Sequence, residues 1–382
     1  MRLLIVSHTP HYLKSGTVVG WGPTVREIDY LANLFDEVVH IAPLHTEAAP
    51  ASALAYHSRK VINRFVKPAG GEQFSAKVKA LTRVPSYSRI LFDEFMKSDV
   101  VHVRCPANIS LVASVSLAFI REPNYRWIKY AGNWQPIERE PTSYKFQRWW
   151  LRMGMHRGVT TVNGKWPDQS EKTYSFFNPC LTEKEIAIGK YLAEKKQLVE
   201  PIKILFVGAV NRSKGVDRVL IIARALKEQG VRFEVDIVGD GLERATFEEL
   251  ASFYELESHV RFHGWISREE LATFYARAHF LLLPSKSEGW PKVLSEAMAY
   301  GAVPITSNVS SIPQIIKDIG AGVALPVDNI ELFVAAVLDF CSDPDKWNLA
   351  KESGSNAAFR FGYQYYLESV RAMFQQAWGI IL

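Results

Sequence analysis

The sequence predicts an α/β protein of two Rossmann-like domains, each a parallel sheet covered by helices on both faces. Three observations predict it. The chain has 382 residues, too many for one ordinary core and suited to two domains of roughly 150–200 residues each. Two short apolar runs, Leu3-Leu4-Ile5-Val6 and Ile204-Leu205-Phe206-Val207-Gly208, each open one half of the chain. After each of them, strand-like runs alternate with stretches of helical period, the pattern of parallel sheets wound by helices.

In the first half, Leu3 to Val6 runs into Ser7-His8-Thr9-Pro10, so the glycines that follow make no GxGxxG dinucleotide fingerprint. Gly16 to Gly22, continuing as Gly20-Trp21-Gly22-Pro23-Thr24, is expected to be a glycine loop that opens a helix. Val38-Val39-His40-Ile41, Val100-Val101-His102-Val103 and Trp127-Ile128-Lys129-Tyr130 are further strands, and Val159-Thr160-Thr161-Val162 is the candidate to close the sheet. His102 is expected to be structural. The polar stretch Thr182 to Glu200 looks like a junction. In the second half the strands are Phe233 to Val238, Val260-Arg261-Phe262, Phe280 to Leu283 and Val303-Pro304-Ile305, with helices over Val216 to Glu228 and Arg244 to Tyr254. The domains are therefore placed at 1–180 and 201–361, with a linker at 181–200. Sheets of this type bind ligands beyond the carboxyl ends of their strands, so two of them facing each other would enclose a cleft.

Composition narrows the class. Hydrophobic residues at 48% and charged residues at 22% are those of a soluble globular protein. The start, MRLLIVSHTP, has too short an apolar run for a secretory signal. No stretch approaches the roughly 18 apolar residues of a membrane span. Cys105, Cys180 and Cys341 match no metal or disulfide spacing, and a reducing cytoplasm is the simplest location. Residues 1–180 carry 23 Lys and Arg against 14 Asp and Glu, about +9, although the whole chain is only +5. A basic half favours an anionic partner. No helix-turn-helix, zinc or RNA-binding signature is present, so a lipid or phosphate-bearing partner is preferred over nucleic acid. An ordinary basic surface is the alternative.

The stretch that carries chemistry is Pro284-Ser285-Lys286-Ser287-Glu288-Gly289-Trp290-Pro291-Lys292-Val293-Leu294-Ser295-Glu296-Ala297-Met298-Ala299-Tyr300-Gly301. A strand ends at Leu283, a loop follows, and a helix is expected from Pro291 or Lys292. Pro291 suits the first helical position, where its missing N–H costs nothing. Loop and first turn then offer backbone N–H groups to a phosphate. Glu288 in the loop and Glu296 one turn into the helix are unfavourable beside phosphate unless they serve hydroxyls. A vicinal diol, as on a sugar, can donate two hydrogen bonds to one carboxylate.

The Glu-x7-Glu spacing followed by Ala-Met-Ala-x-Gly resembles the family-4 retaining glycosyltransferases of the two-Rossmann-domain GT-B fold. Phe206-Val207-Gly208 with Ser213-Lys214-Gly215-Val216-Asp217 is similar to that family's diphosphate loop. Val238-Gly239-Asp240-Gly241, Val260 to Ile266 and Ser310-Ser311-Ile312-Pro313 fall in the same order. The resemblance is close over about 203–340 and looser before it. It implies that Glu288 accepts hydrogen bonds from donor-sugar hydroxyls, assisted by the backbone of Gly289, Trp290, Pro291 and Lys292. Glu296 would hold the ribose, with Val293 and Leu294 beside it. Lys214, helped by Arg212, would neutralise the departing diphosphate, and Gly264 and Ile266 would line the base pocket. Glu288, Lys214 and Arg212 are thus the expected catalytic residues. Gly20, Gly22 and Asn133 would form the acceptor and phosphate loops. The C-terminal helix, about 362–382, would cross back to the first domain.

Two departures stand out. Ala209 occupies the place where the family often has Arg after the diphosphate-strand glycine, and Arg212 is the candidate substitute. Ala131-Gly132 stands where the family commonly has His-Gly, with Tyr130 or Asn133 as candidates to replace the imidazole.

The implied reaction is a hexosyltransferase-type transfer with retention at the anomeric carbon, driven by positive groups aimed at the leaving phosphate. The donor is a nucleotide-diphosphate sugar, and the acceptor a saccharide or lipid-linked saccharide. Bacterial surface polysaccharide or glycoconjugate synthesis is the expected setting. No metal or cofactor is expected, since Asp343-Pro344-Asp345 reads as a helix cap. Between 57 and 97, Arg59, Lys60, Arg64, Lys67, Lys77, Lys79, Arg83, Arg89 and Lys97 interleave with Phe65, Phe74, Tyr87 and Phe92. Tyr144 to Met155 adds Lys145, Arg148, Trp149, Trp150 and Arg152. Both suit peripheral docking on an anionic membrane, or an ordinary helix with a basic outer face. The alternatives are a catalytically silent nucleotide-sugar binder and another enzyme of the same fold, such as a nucleotide-sugar epimerase or a phosphorylase.

Overall fold

The computed structural model describes residues 1–69, 74–136 and 140–382, apart from the side chains of 74–81. The expected basic and aromatic positions Phe74, Lys77 and Lys79 thus lie outside the described side chains. The chain forms two units, one of Met1–Phe176 with Tyr366–Leu382, the other of Phe177–Tyr365.

The first unit is built on a seven-stranded parallel sheet. Its order is Thr173–Phe176, Val159–Asn163, Tyr125–Tyr130, Val100–Cys105, Arg2–Val6, Glu37–Pro43 and Val61–Val66. The central strands are apolar without alternation because both faces are covered. Leu4, Val6, Val101 and Val103 meet Tyr87, Leu91 and Phe95 of helix Phe74–Phe95 and Ile109 and Ala113 of helix Asn108–Ser116. Trp150 and Leu151 of helix Thr142–Arg152 join the same core. On the other face, Leu3, Ile5 and Trp127 pack with Ile28 of helix Gly22–Leu31 and with Tyr366, Val370 and Phe374 of the last helix.

Three expectations need correction here. Val159–Asn163 does not close the sheet, because Thr173–Phe176 adds one more strand beyond it. Within the basic stretch 57–97, Val61–Val66 is an edge strand paired in register with Val38–Pro43, which the charge pattern concealed. Gly16 to Gly22 is not one loop. Thr17–Trp21 is a strand of a hairpin with His11–Lys14, as its β-branched residues favour, and the two residues Ser15 and Gly16, at φ +50° and +78°, turn the chain. Gly20 lies inside the strand, where a Cβ would stand 2.7 Å from the His11 ring. Gly22 starts the helix, where a Cβ would meet the Ser52 carbonyl at 2.5 Å.

The second unit holds a six-stranded parallel sheet in the order Val260–Gly264, Phe233–Val238, Ile202–Val207, Phe280–Leu283, Val303–Ser307, Val323–Leu325. The last strand was not read from the sequence. Residues 181–200 are not a linker. Glu183–Lys195 is a helix of this unit, started by a capping box in which Thr182 Oγ1 accepts from Glu185 N while the Glu185 carboxylate accepts from Thr182 N. Gly189 lets it lie against the end of the helix Lys292–Ala299, because a Cβ there would approach the Ala299 carbonyl to 2.6 Å. Its polar outer face gave the impression of a junction.

Buried histidines make the fold sensitive to acid. His11, His40, His102 and His156 of the first unit and His279 of the second are buried. His40 is hydrogen-bonded to Ser7 Oγ at 2.7 Å and to Tyr56 OH at 2.8 Å. His102 sits mid-strand with its ring centroid 3.7 Å from that of Trp127, the structural role expected of it. Burial pushes His11, His156 and His279 down to about 4, and His40 and His102 well below the ordinary range. An unfolded histidine takes its proton near pH ~6.5, so below that pH the unfolded state binds more protons than the folded one. Stability is therefore complete above about pH 6.5 and falls toward pH 4, by about 1.4 kcal/mol per unit for each such histidine. Since four of these five lie in the first unit, hydrogen exchange at pH ~5, corrected for intrinsic rate, should show protection lost first in 1–176. Protection lost first in 177–365, or equal protection at pH ~5 and ~7.5, would refute this.

Candidate functional site

The predicted site residues of the second unit gather at the carboxyl ends of its strands. Strand Ile202–Val207 runs through Gly208 into the segment Ala209 to Gly215, which starts helix Val216–Glu228. Gly215 makes this turn possible. It adopts φ +88°, and a Cβ would lie 2.2 Å from the Pro284 carbonyl. The segment is tied to the loop after strand Phe280–Leu283 at several points. Arg218, buried, donates from Nε to Pro284 O at 2.7 Å and from Nη2 to Arg212 O at 3.0 Å. Lys286 N donates to Ser213 O at 3.0 Å, and Ser285 Oγ to Lys214 O at 3.2 Å.

This fastening sets Lys214 against Glu288, with Nζ donating to Oε1 at 2.6 Å. The lysine side chain is 32% exposed and the glutamate 9%. An ammonium and a carboxylate, 74 residues apart in sequence, thus share one partly open position beside the N-terminus of helix Lys292–Ala299. Pro291 is the cap just before this helix rather than its first residue, as expected from the sequence, and no side chain caps the first turn. An uncapped N-terminus presents donor groups and positive potential.

The other predicted residues divide by role. Trp290 turns its side chain into the core, stacked on Phe361 with Nε1 donating to Ser295 Oγ at 2.8 Å, so only its backbone faces the loop. Leu294 is likewise core, while Gly289, Lys292 and Val293 are half-buried. Gly264, at φ +70°, accepts from Gly239 N at 2.9 Å. Gly239 in turn leaves no room for a Cβ, which would fall 1.9 Å from Gly208 O, so three strand ends approach closely. Ile266 is half-buried and follows Trp265, which is exposed. Arg212 does not join Lys214 and Glu288. Its side chain is 74% exposed and lies 3.8 Å from Glu243, whose carboxylate also accepts from Arg212 N. In the first unit, Asn133 Oδ1 accepts from Gln135 N at 3.1 Å in a local turn after strand Tyr125–Tyr130. Arg152 steadies the same loop by donating to Trp134 O at 2.8 Å.

Glu296 sits in a network that sequence reading missed. Its Oε1 accepts from Arg268 Nη1 at 2.6 Å and its Oε2 from Tyr275 OH at 2.9 Å. Arg268 also donates from Nε to Glu185 Oε1 and from Nη2 to Cys180 O, both at 2.6 Å. Burial, which would raise Glu185, is outweighed by Arg268, so its carboxyl lies below the usual range. Burial would lower Arg268, yet Glu296 and Glu185 hold it above its ordinary value. Burial, then Glu296, keeps the Tyr275 phenol protonated. The available signal was the pair of capping boxes at Thr182-x-x-Glu185 and Ser267-x-x-Glu270. They fix two helix starts but do not reveal that these meet at Glu296. Among the described residues, no group of three or more His, Cys, Asp or Glu side chains could hold a metal ion.

Comparisons with known proteins bear on the class of the chain. Residues 190–358 match the family model for glycosyl transferases group 1. The amylovoran biosynthesis glycosyltransferase AmsK of Erwinia amylovora is 32% identical over 147 residues, which are 37% of this chain and 36% of that protein. The aligned stretch thus spans well under half the length of such relatives. Sucrose-phosphate synthase from Thermosynechococcus elongatus superposes over 99% of both chains, with a TM-score of 0.72 and 17% identity. Anabaena Alr3699/HepE, solved with UDP and glucose, covers 98% of this chain and all of its own, with a TM-score of 0.66 and 14% identity. The fold is GT-B, with two Rossmann-like domains, and the matches support a GT-B glycosyltransferase.

Proposed function

We propose that the protein is a retaining glycosyltransferase that moves a sugar from a nucleotide-diphosphate donor to a saccharide or lipid-linked saccharide. The 2.6 Å contact between Lys214 Nζ and Glu288 Oε1 at an uncapped helix N-terminus carries this reading. In it, Glu288 accepts from sugar hydroxyls and Glu296 from the ribose, while Lys214 and the helix terminus face the diphosphate. Exposed Arg212 reaches the phosphates only by leaving Glu243. The bond from the anomeric carbon to the diphosphate oxygen breaks, its electrons leaving with the diphosphate. The acceptor oxygen bonds on the same face and gives its proton to the departing phosphate. No metal takes part. Relatives named for amylovoran, colanic acid and O-antigen synthesis support a surface-polysaccharide setting. HepE, solved with UDP and glucose, supports a UDP-sugar donor.

Thermal unfolding with UDP, GDP, ADP and their common sugars tests the donor site. A true ligand at about 100 times its Kd should add roughly 2.7 kcal/mol, and Glu296→Ala should abolish the shift. Stabilisation that survives Glu296→Ala would move the nucleotide elsewhere, and none with any nucleotide would reject the donor reading. Binding without turnover would identify a silent nucleotide-sugar binder.

A further inference from the structure

We propose that the outer face of helix Thr142–Arg152 is a docking surface for an anionic lipid bilayer. The inference goes beyond the transfer reaction and does not depend on it. The inner face of this helix meets the needs of the fold. Gln147, Arg148, Trp150 and Leu151 are buried. Trp150 Nε1 donates to Ser114 O at 3.2 Å, and Gln147 Oε1 accepts from Ala107 N at 3.1 Å.

The outer face has a different composition. Lys145, Phe146, Trp149, Arg152 and Met153 follow helical spacing along one stripe and are all exposed. Trp149 is 50% exposed and Met153 61%, and Met155 in the following turn is exposed as well. The Phe146 and Trp149 rings lie 5.6 Å apart, so the apolar surface is continuous. Contiguous apolar surface of this kind marks a binding face.

Its chemistry selects the partner. The helix contains no Asp or Glu. Among the described residues, two carboxylates flank it: Asp168, which Arg152 engages at 2.8 Å, and Glu140, which pairs with buried Arg148. Lys145 at one end and Arg152 at the other therefore bracket Trp, Phe and Met side chains. Amphipathic rings rimmed by basic groups suit the headgroup boundary of an anionic bilayer. Helix Phe74–Phe95 and the segments that follow it and helix Asn108–Ser116 repeat the composition, exposing Phe92, Met96 and Phe119 beside Arg89, Lys97 and Arg121, with exposed Asp93 and Asp99 and half-buried Glu122 as acidic exceptions. No helix among the described residues is long and apolar enough to cross a membrane, so contact would be peripheral.

Sedimentation of the full chain with vesicles tests this. Vesicles of equal phosphatidylglycerol and phosphatidylcholine should bind it, pure phosphatidylcholine should bind it far less, and added salt should release it. Lys145→Gln should weaken binding about five-fold, the share of one basic group near such a surface. Trp149→Ser should weaken it at least as much, and both variants should keep the wild-type melting temperature because their side chains point outward. Failure of the wild type to bind the anionic vesicles would overturn the proposal, as would wild-type binding by both variants. So would a lipid-free dimer, in sedimentation velocity, that Trp149→Ser dissociates, since the face would then belong to a second copy of the chain. Donor turnover is not read in any arm, so loss of the glycosyltransferase reading would leave the result standing.

Discussion

Lys214→Met is expected to lower the turnover number by about 10²–10³-fold, the effect of removing one group aimed at developing negative charge. The loss should appear in kcat rather than KM, because in the proposed reaction charge on the diphosphate grows as its bond to the anomeric carbon breaks, and only an interaction that strengthens there accelerates the step. Stability is a competing explanation that can be bounded. Without the ammonium, Glu288 keeps a mostly buried carboxylate with no cation at 2.6 Å. Leaving such a group unsatisfied costs about 1–3 kcal/mol, well within the roughly 5–15 kcal/mol that holds a domain folded. The variant should therefore melt somewhat earlier but remain folded and bind nucleotide. Single-turnover kinetics alongside a melting curve separate the two. A rise in KM with unchanged kcat would assign Lys214 to ground-state binding, and unfolding at assay temperature would make it structural.

The parts legible in the sequence were those set by local physics. Leu3 to Val6 and Ile204 to Val207 declare buried parallel strands because both faces of such strands are covered. Glu288, Pro291 and Glu296 declare a loop and a helix start within one short window. What stayed hidden depends on distance. The sequence separations of 28 from Arg268 to Glu296 and of 83 from Arg268 to Glu185 carry no periodic signal. Arg212 looked like a partner of Lys214 because it is close in sequence, yet the bonds of Arg218 to Pro284 and Arg212 carbonyls orient the turn so that its side chain faces Glu243. The edge strand Val61–Val66 was masked by charge, because an edge position tolerates Asn63 and Arg64 where a central strand would not. Trp290 shows a further limit: a residue can stand in a binding loop through its backbone while its ring belongs to the core.

Arg268→Met should cost the second unit about 1–3 kcal/mol, the penalty for leaving partly buried carboxylates without the group that bonds them. Its guanidinium serves three acceptors, Glu296, Glu185 and the Cys180 carbonyl, each at 2.6 Å. Methionine fills similar volume but leaves two carboxylates facing each other without a cation. Neutralising them restores part of the loss, so Arg268→Met with Glu185→Gln and Glu296→Gln should be more stable than Arg268→Met alone. Donor binding should not recover in the triple variant, because Glu296 then no longer offers a carboxylate held between Arg268 and Tyr275. That divergence between urea midpoint and nucleotide affinity separates a positioning role from simple bracing. Tyr275→Phe gives the graded control. It removes one hydrogen bond to Glu296 Oε2, costs about 1 kcal/mol, and should weaken nucleotide binding while leaving kcat near wild type. If the triple variant binds nucleotide as the wild type does, the network only holds three helices together, and the ribose contact must be sought elsewhere along the strand ends.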